Sequence, residues 1–337
     1  MLRVHFTSDD LARVRVATGP DPLWELTNSF QSLAAGARGV PGLAAWRRQV
    51  RVGLPPACAP LTVLLPPRGY SPDFLTPDLR GVSEFESALD TVLGTSRDRL
   101  RTDLSTLAAE RPKPLPAGVR ALAEGRTGAL RGLGAALRAY HRHALVPMWA
   151  HLRAHVEADL ALRARAMMEG GAEGLLSGFK PVLRWQPPVL EADYPVEREI
   201  RLGGRGLQLQ PTFFCFRTPV ALADSDLTPT LAYPLQHALG EPALAGSPES
   251  LGALIGRTRA AMLEAVVTGR TTSELAERCG ISRPAASQHT AVLREAGLLL
   301  SVRRSKLVLH TITPAGLALL ESAPGQRRTD RSDRRDA

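Results

Sequence analysis

The side chains best suited to recognition chemistry lie between residues 282 and 306. Ser287 and Gln288 can hydrogen-bond the edges of nucleic-acid bases, and Arg283 can reach a guanine or a phosphate. His289 follows directly as a base contact or a half-buried packing residue, and Arg294 lies one turn further on, where it touches phosphate or is simply solvated. Arg303, Arg304 and Lys306 form a second cationic group, suited to backbone phosphates or the minor groove. A different chemistry is possible at His151 and His155. Two histidines one helical turn apart can hold zinc, and His141, His143, Glu157 and Asp159 are near in sequence. No third ligand stands at a defined spacing and arginines interleave, so these positions also read as a solvated helix face. The glycines of segment 202–206 lack the GxGxxG order and a following helix, which makes them a turn rather than a phosphate cradle. No GxSxG, HExxH or P-loop occurs, so no catalytic residue, metal site or cofactor is expected, and the chain is not expected to be an enzyme.

The elements that must carry the first group are legible nearby. Ser247 and Pro248 start a helix whose apolar stripe, Leu251, Leu254, Ile255, Met262, Ala265 and Val266, continues to about 268, where Gly269 ends it. Thr271 to Glu274 forms a capping box for a short helix through 278 with Leu275 and Ala276 inward. Cys279, Gly280 and Ile281 supply a tight turn; Gly280 suits positive φ, and Ile281 plugs the corner. Ser282 caps the next helix, 282–296, in whose first turn Pro284 fits. Its spacing turns Ala286, Thr290, Leu293 and Gly297 inward and leaves Arg283, Ser287 and Gln288 away from that side, with His289 on the flank. Strands 298–302 and 307–311, joined by Arg303, Arg304, Ser305 and Lys306, make a cation-tipped hairpin, and Thr313–Pro314 caps a last helix to about 320. The order helix, helix, turn, helix, hairpin, helix is that of a winged helix-turn-helix over residues 247–320.

The rest of the chain reads as a mainly helical domain with a small β portion, residues 1–240, so the fold class expected is α+β. Leu2, Val4 and Phe6 alternate in a short strand, Thr7 caps a short helix, residues 13–17 suit another strand, and Pro20 to Pro22 opens a helix to about 35. Prolines and turn residues suggest that 51–80 wanders over the surface. Helical spacing runs through 83–169, broken by the prolines of 111–116 and bent near Pro147, with Gly170, Gly171 and Gly178 closing the region. Segments 197–202 and 207–210 flank four residues rich in glycine and suggest a hairpin. Residues 212–216 and 230–233 are further β-prone pieces. Trp24, Trp46, Trp149, Trp185, Phe213, Phe214 and Phe216 suit a packed core or an apolar pocket. Residues 240–246 are the expected linker, and the charged tail 325–337 is expected to be disordered.

Charge points the same way as the motifs. The formal net charge is +9, and residues 251–337 carry 14 Arg and Lys against 8 Asp and Glu, whereas residues 1–250 carry 28 against 25. A basic surplus held in one small domain suits a polyanionic partner, because neutralised phosphates supply most non-specific affinity for nucleic acid; arginine coating a soluble surface is the bland alternative. The three cysteines, Cys58, Cys215 and Cys279, are far apart and form no CxxC, which excludes a disulfide framework. Cys279 reads either as a small apolar turn residue or as a redox switch. Residues 1–10 hold Asp9 and Asp10 and no long apolar stretch, and no run approaches a membrane span, so neither signal peptide nor membrane contact is expected and the chain is expected to be cytoplasmic.

The segment TTSELAERCGISRPAASQHTAVLREAGLL with the later HTITPAGLALL resembles the winged-helix regulators of the ArsR/SmtB family. The likeness covers about residues 257–320, including the S-x-H of the recognition helix (Ser287, Gln288, His289) and the LREAGL exit; the last segment also resembles MarR-type regulators. The resemblance implies a dimeric repressor of a double-stranded DNA operator, released by an effector, with Arg283, Ser287, Gln288 and His289 facing DNA. It does not extend to the family's metal sites. Cys279 stands without the CxC pair, residues 317–321 lack the Asp and His of the terminal-helix site, Thr290 replaces the usual leucine, and the wing lacks its common glycine. The segments DPLWE, LGGRGLQLQPTFF and LAYP are similar to the long N-terminal halves of certain bacterial regulators of this type, which implies neither ligand nor reaction. Two further readings stay open on the residues: a winged-helix scaffold that binds another protein, and a metal-dependent enzyme using His151, His155 and a nearby carboxylate.

Overall fold

Alternation of Leu2 and Val4 with polar neighbours forms strand β1 (Leu2–His5), whose apolar side is buried. In the computed structural model, residues 1–35, 43–79, 81–82, 84–215, 218–235, 248–304 and 307–321 are described. Phe216, the segment 240–246, Ser247, Ser305, Lys306 and the tail 325–337 lie outside them, as does the side chain of Arg304. The fold is α+β, and the chain divides into two units, Met1–Pro242 and Ala243–Ala337.

In the first unit, Thr7 accepts from the amide of Asp10 to cap α1 (Ser8–Leu11), and the Asp10 carboxylate accepts in return from the Thr7 amide at 2.8 Å. Strand β2 (Arg15–Val16) follows, then α2 (Pro22–Ala35), capped by the Asp21 carboxylate on the amides of Leu23 and Trp24. Helices α3 (Ala44–Val52), α4 (Leu61–Leu64), α5 (Phe85–Leu93), α6 (Arg97–Ala109), α7 (Ala117–Ala123) and α8 (Thr127–Tyr140) lead to a wide turn at His141–Leu145 and a 3₁₀ turn at Val146–Met148, where Pro147 interrupts the helical path. Residues 51–80 are not simply surface: Cys58, Leu61, Leu64, Leu65, Phe74 and Leu75 are buried, because short turns let the apolar residues between the prolines point inward. The long helix α9 (Trp149–Ser177) loses helical dihedrals at Gly170 and Gly171 and then resumes to Gly178. Its Arg163, buried, pairs with Asp159 at 2.8 Å, donates to the Gly178 carbonyl and stacks over Phe179, while Tyr233 donates to Asp159.

Two four-stranded sheets complete this unit. The first runs β3 (Leu183–Gln186), β4 (Val189–Ala192), β1, β5 (Arg198–Arg201), antiparallel except for the parallel β1–β5 pair, with Leu2 opposite Ala192 and Val4 opposite Leu190. The second runs β2, β6 (Gln208–Thr212), β8 (Thr230–Pro234), β7 (Val220–Ala221), with β6 parallel to both neighbours. Strands β5 and β6 therefore form no hairpin. Gly203, Gly204 and Gly206 all take positive φ, but the turn docks on α1 instead of folding back. The Gly206 amide donates to Asp10 at 2.9 Å, Arg15 donates to the Leu207 carbonyl, and a Cβ on Gly206 would stand 2.4 Å from the Arg13 carbonyl. The chain thus crosses from one sheet to the other.

The second unit contains α10 (Pro248–Ile255), α11 (Arg257–Ala265), β9 (Arg270–Thr271), α12 (Thr272–Arg278), α13 (Arg283–Glu295), β10 (Leu299–Arg304), β11 (Leu307–Ile312) and α14 (Pro314–Glu321). The apolar stripe from 251 to 268 is two helices, since Gly256 takes φ 87° and starts a new one. Met262, Leu263, Val266, Leu275, Ala276, Ala286, Leu293 and Leu299 form its core. Strand β9 pairs with β11 and makes the hairpin a three-stranded sheet, an edge too short for a periodicity of two to register.

Candidate nucleic-acid interface

Local rules fix the two central helices. Thr271 accepts from the Glu274 amide while the Glu274 carboxylate accepts from the Thr271 amide at 2.7 Å, which closes a capping box and holds that carboxyl below its usual range. At the other end of α12, Ile281 donates to the Ala276 carbonyl and Gly280, at φ 63°, to that of Glu277, so the helix stops in a Schellman turn whose apolar contact is Ile281 on the core. Ser282 then accepts from the Ala285 amide and Pro284 occupies the first turn of α13. A second Schellman turn ends α13, with Leu298 donating to Leu293 and Gly297 to Arg294. Gly297 accordingly does not pack inward: it is exposed and takes φ 71°, the left-handed conformation that the stop requires.

This construction sorts α13 into two sides. Ala286, Thr290 and Leu293 are buried, and the Thr290 hydroxyl is satisfied by the Ser287 carbonyl at 2.9 Å, which is how a threonine is accommodated there. Arg283, Ser287, Gln288 and Arg294 are exposed, and His289 is half-buried on the flank. Arg303 is exposed on β10. The outer side of α13 thus presents a cation, a hydroxyl and an amide free of the core, a set that can pair with base edges and phosphates.

No motif or spacing marks His310. It is 3% exposed, on β11, with Nε2 2.9 Å from the Thr272 hydroxyl and Nδ1 2.8 Å from that of Ser301 across the strand pair. One imidazole ring therefore ties the N-terminus of α12 to both wing strands. Burial, and then the charge of Arg294, hold its pKa below 6.5. A group so depressed contributes stability above about pH 6.5 that is lost as the pH falls, because the unfolded chain takes the proton first. His310→Phe keeps the volume but leaves two hydroxyls without the ring, an expected cost of about 1–3 kcal/mol. Urea unfolding should show that loss and a flatter acid limb; an unchanged midpoint and limb would remove the tie.

The histidines of the first unit are brought together only in part. His151 and His155 rings lie 4.3 Å apart against Phe213, and His155 Nδ1 is 2.9 Å from the His151 carbonyl. His141 instead stacks on Phe85, and burial lowers its pKa to about 4; His143 is bonded to the Val50 carbonyl. Glu157 pairs with Arg153 and Asp159 with Arg163. Among the described residues no group of three or more His, Cys, Asp or Glu is arranged to hold a metal, and no helix is long and apolar enough to cross a membrane. Trp24, Trp46, Trp185, Phe213 and Phe214 are buried, and Trp149 is half-buried.

A family model described as a helix-turn-helix domain matches residues 255–302, and the second unit contains such a domain. Among solved structures, one titled "Crystal structure of Possible transcriptional regulator for arsenical resistance" is similar at 31% identity over 22% of this chain and 76% of its own, with a TM-score of 0.19. No curated protein matches.

Proposed function

We propose that this chain is a sequence-specific DNA-binding transcriptional regulator of the ArsR/SmtB type, a homodimeric repressor. The observation that carries it is the two-sidedness of α13: Ala286, Thr290 and Leu293 are buried, and Arg283, Ser287 and Gln288 are in solvent on a helix fixed by the Ser282 cap at its start and the Gly297 stop at its end. The match of a helix-turn-helix model over residues 255–302 supports the same reading. α13 lies in the major groove, where Ser287 and Gln288 read bases and Arg283 and His289 contact base or phosphate. Arg294 touches the backbone, and Arg303, Arg304 and Lys306 of the wing hold phosphates or enter the minor groove. A dimer of such heads reads two half-sites about 34–36 Å apart or a multiple of it. The domain over residues 1–240 serves dimerisation or regulation by a small-molecule effector.

Neutralising Arg303, Arg304 and Lys306 together tests this. Each phosphate contact adds about 0.9 to the slope of log affinity against log salt, so the triple glutamine variant should bind every duplex more weakly, with a slope lower by roughly two to three per head. Gel-shift titration across salt reads both quantities. Equal affinity and slope in the two proteins would remove the wing contacts, and salt-insensitive binding to a protein with none to duplex would replace the whole reading by the scaffold one.

A further inference from the structure

The first unit holds a cavity of about 230 Å³ between the edge strand β5 of one sheet and strands β7 and β8 of the other. We infer that this cavity is a binding site for a small amphipathic carboxylate, a single carboxyl group on an apolar body of aromatic or aliphatic carbon. The inference goes beyond the DNA reading and does not depend on it.

Two features set the ligand class. The floor is apolar: Val4, Leu207, Leu222 and Leu231 line the cavity and are buried, and Ile200 and Leu227 line it half-buried. The rim is cationic, with Arg198, Arg201 and Arg205 among the lining residues. Each of the two lining carboxylates has a cationic partner: Glu199 lies within 4 Å of His5 and of Arg201, and Asp224 pairs with Arg99, which Asp73 and Asp103 share. Arg198 and Arg205, by contrast, are held by neutral groups. Arg198 donates to the carbonyls of Ala221, Leu222 and Ala223, and Arg205 to those of Arg201, Leu202, Ser225 and Leu227. Such bonds occupy donors but leave the charge. Arg198 also acts electrostatically on Asp73, which does not line the cavity and whose Oδ2 accepts from the amides of Ala223 and Asp224.

Those same bonds make the site rigid. Segment 221–227 forms one wall, and it is pinned from behind by Asp73 and from the rim by both guanidinium groups. A wall held this way keeps two fixed positive charges above an apolar floor, so a carboxylate binds without first ordering the rim. The volume is below the roughly 300–1,000 Å³ of sites for drug-sized ligands, which limits the occupant to a small acid.

The experiment uses the full chain with benzoate, cyclohexanecarboxylate and hexanoate as probes and benzamide as the uncharged control, read by saturation-transfer NMR and by thermal unfolding. At least one acid should receive saturation and raise Tm, with benzamide weaker by about tenfold or more. Leu227→Trp, which fills the cavity from a half-buried position, and Arg198→Gln, which removes a rim charge, should each weaken binding by a similar factor. Circular dichroism confirms that each variant is folded, and duplex binding is measured on the same samples. Failure of all three acids, benzamide binding as well as benzoate, or an acid bound equally by the folded Leu227→Trp variant would each overturn the site, whatever the duplex result. Loss of duplex binding with intact acid binding would instead fall on the DNA reading alone.

Discussion

On the proposed DNA reading, replacing Ser287 and Gln288 together with alanine is expected to abolish the preference for an operator over unrelated duplex, while general affinity for duplex is largely kept. Both side chains are exposed on α13, and neither takes part in the core formed by Ala286, Thr290 and Leu293. Alanine is the strongest helix former, and surface substitutions of this kind alter stability by only about 0.5 kcal/mol, so the fold is retained. A well-placed base contact contributes about 1–3 kcal/mol of discrimination. Two such contacts in one head amount to about 2–6 kcal/mol, a loss of roughly thirtyfold to ten-thousandfold in the ratio of operator to non-specific binding. The operator is first obtained by selection from random duplex, and competition gel shifts then measure the ratio. The contrast with the wing variant is diagnostic: one change removes selectivity, the other removes salt-dependent affinity for all sequences. An unchanged ratio in the alanine pair would show that α13 does not read bases.

The second unit was legible because its signals are local. Thr271 and Glu274, Ser282 and Pro284, and the glycines at 269 and 280 act within a few residues of themselves, and each forms the cap or stop that its type and position prescribe. Where sequence reasoning failed, the deciding partner was distant in the chain. The glycines of 203–206 look like a hairpin until Asp10 and Arg13, nearly two hundred residues earlier, draw the turn onto α1 and send β6 into another sheet. Gly297 fell by chance in register with the inward side of α13, and only its backbone conformation reveals a helix stop. Gly256 is the converse case, a break inside a stripe that remains periodic on both sides. His310 is a lone histidine in a strand, and its value depends on Thr272 and Ser301 arriving from two other elements. The cationic rim of the cavity was equally hidden, since Arg198 and Arg205 look like exposed charges of a strand and a turn until segment 221–227 closes on them.

Glu25 governs the other large expected effect. It is fully buried in the first turn of α2 and accepts from the amides of Phe213 at 2.7 Å and Phe214 at 3.2 Å, just beyond the end of β6. Two backbone donors that would otherwise be buried without partners are satisfied by one side chain. Burial pushes the carboxyl up to about 8 from 4.5; the two amides pull it down, and neighbouring Asp21, itself raised to about 6 mainly by burial, pushes it further up. Between about pH 4.5 and 8 the folded protein therefore keeps a proton that the unfolded chain has released. Stability is fully present below that window and declines as the pH rises through it, by up to about 1.4 kcal/mol per pH unit from this group. Its sign is opposite to that of His310, which acts as the pH falls. Glu25→Gln cannot ionise and turns an amide group toward one of the two donors, so it should be less stable by about 1–3 kcal/mol at mildly acid pH yet lose less on the way to alkaline pH. Glu25→Ala leaves both amides unpaired and opens a cavity. Its expected cost of about 2–6 kcal/mol is comparable to the whole stability of many domains, so the first unit should unfold at moderate temperature. Urea midpoints measured from about pH 5 to about pH 8 for the three proteins decide the matter. Parallel curves for the wild type and Glu25→Gln would show that the carboxyl does not hold the proton.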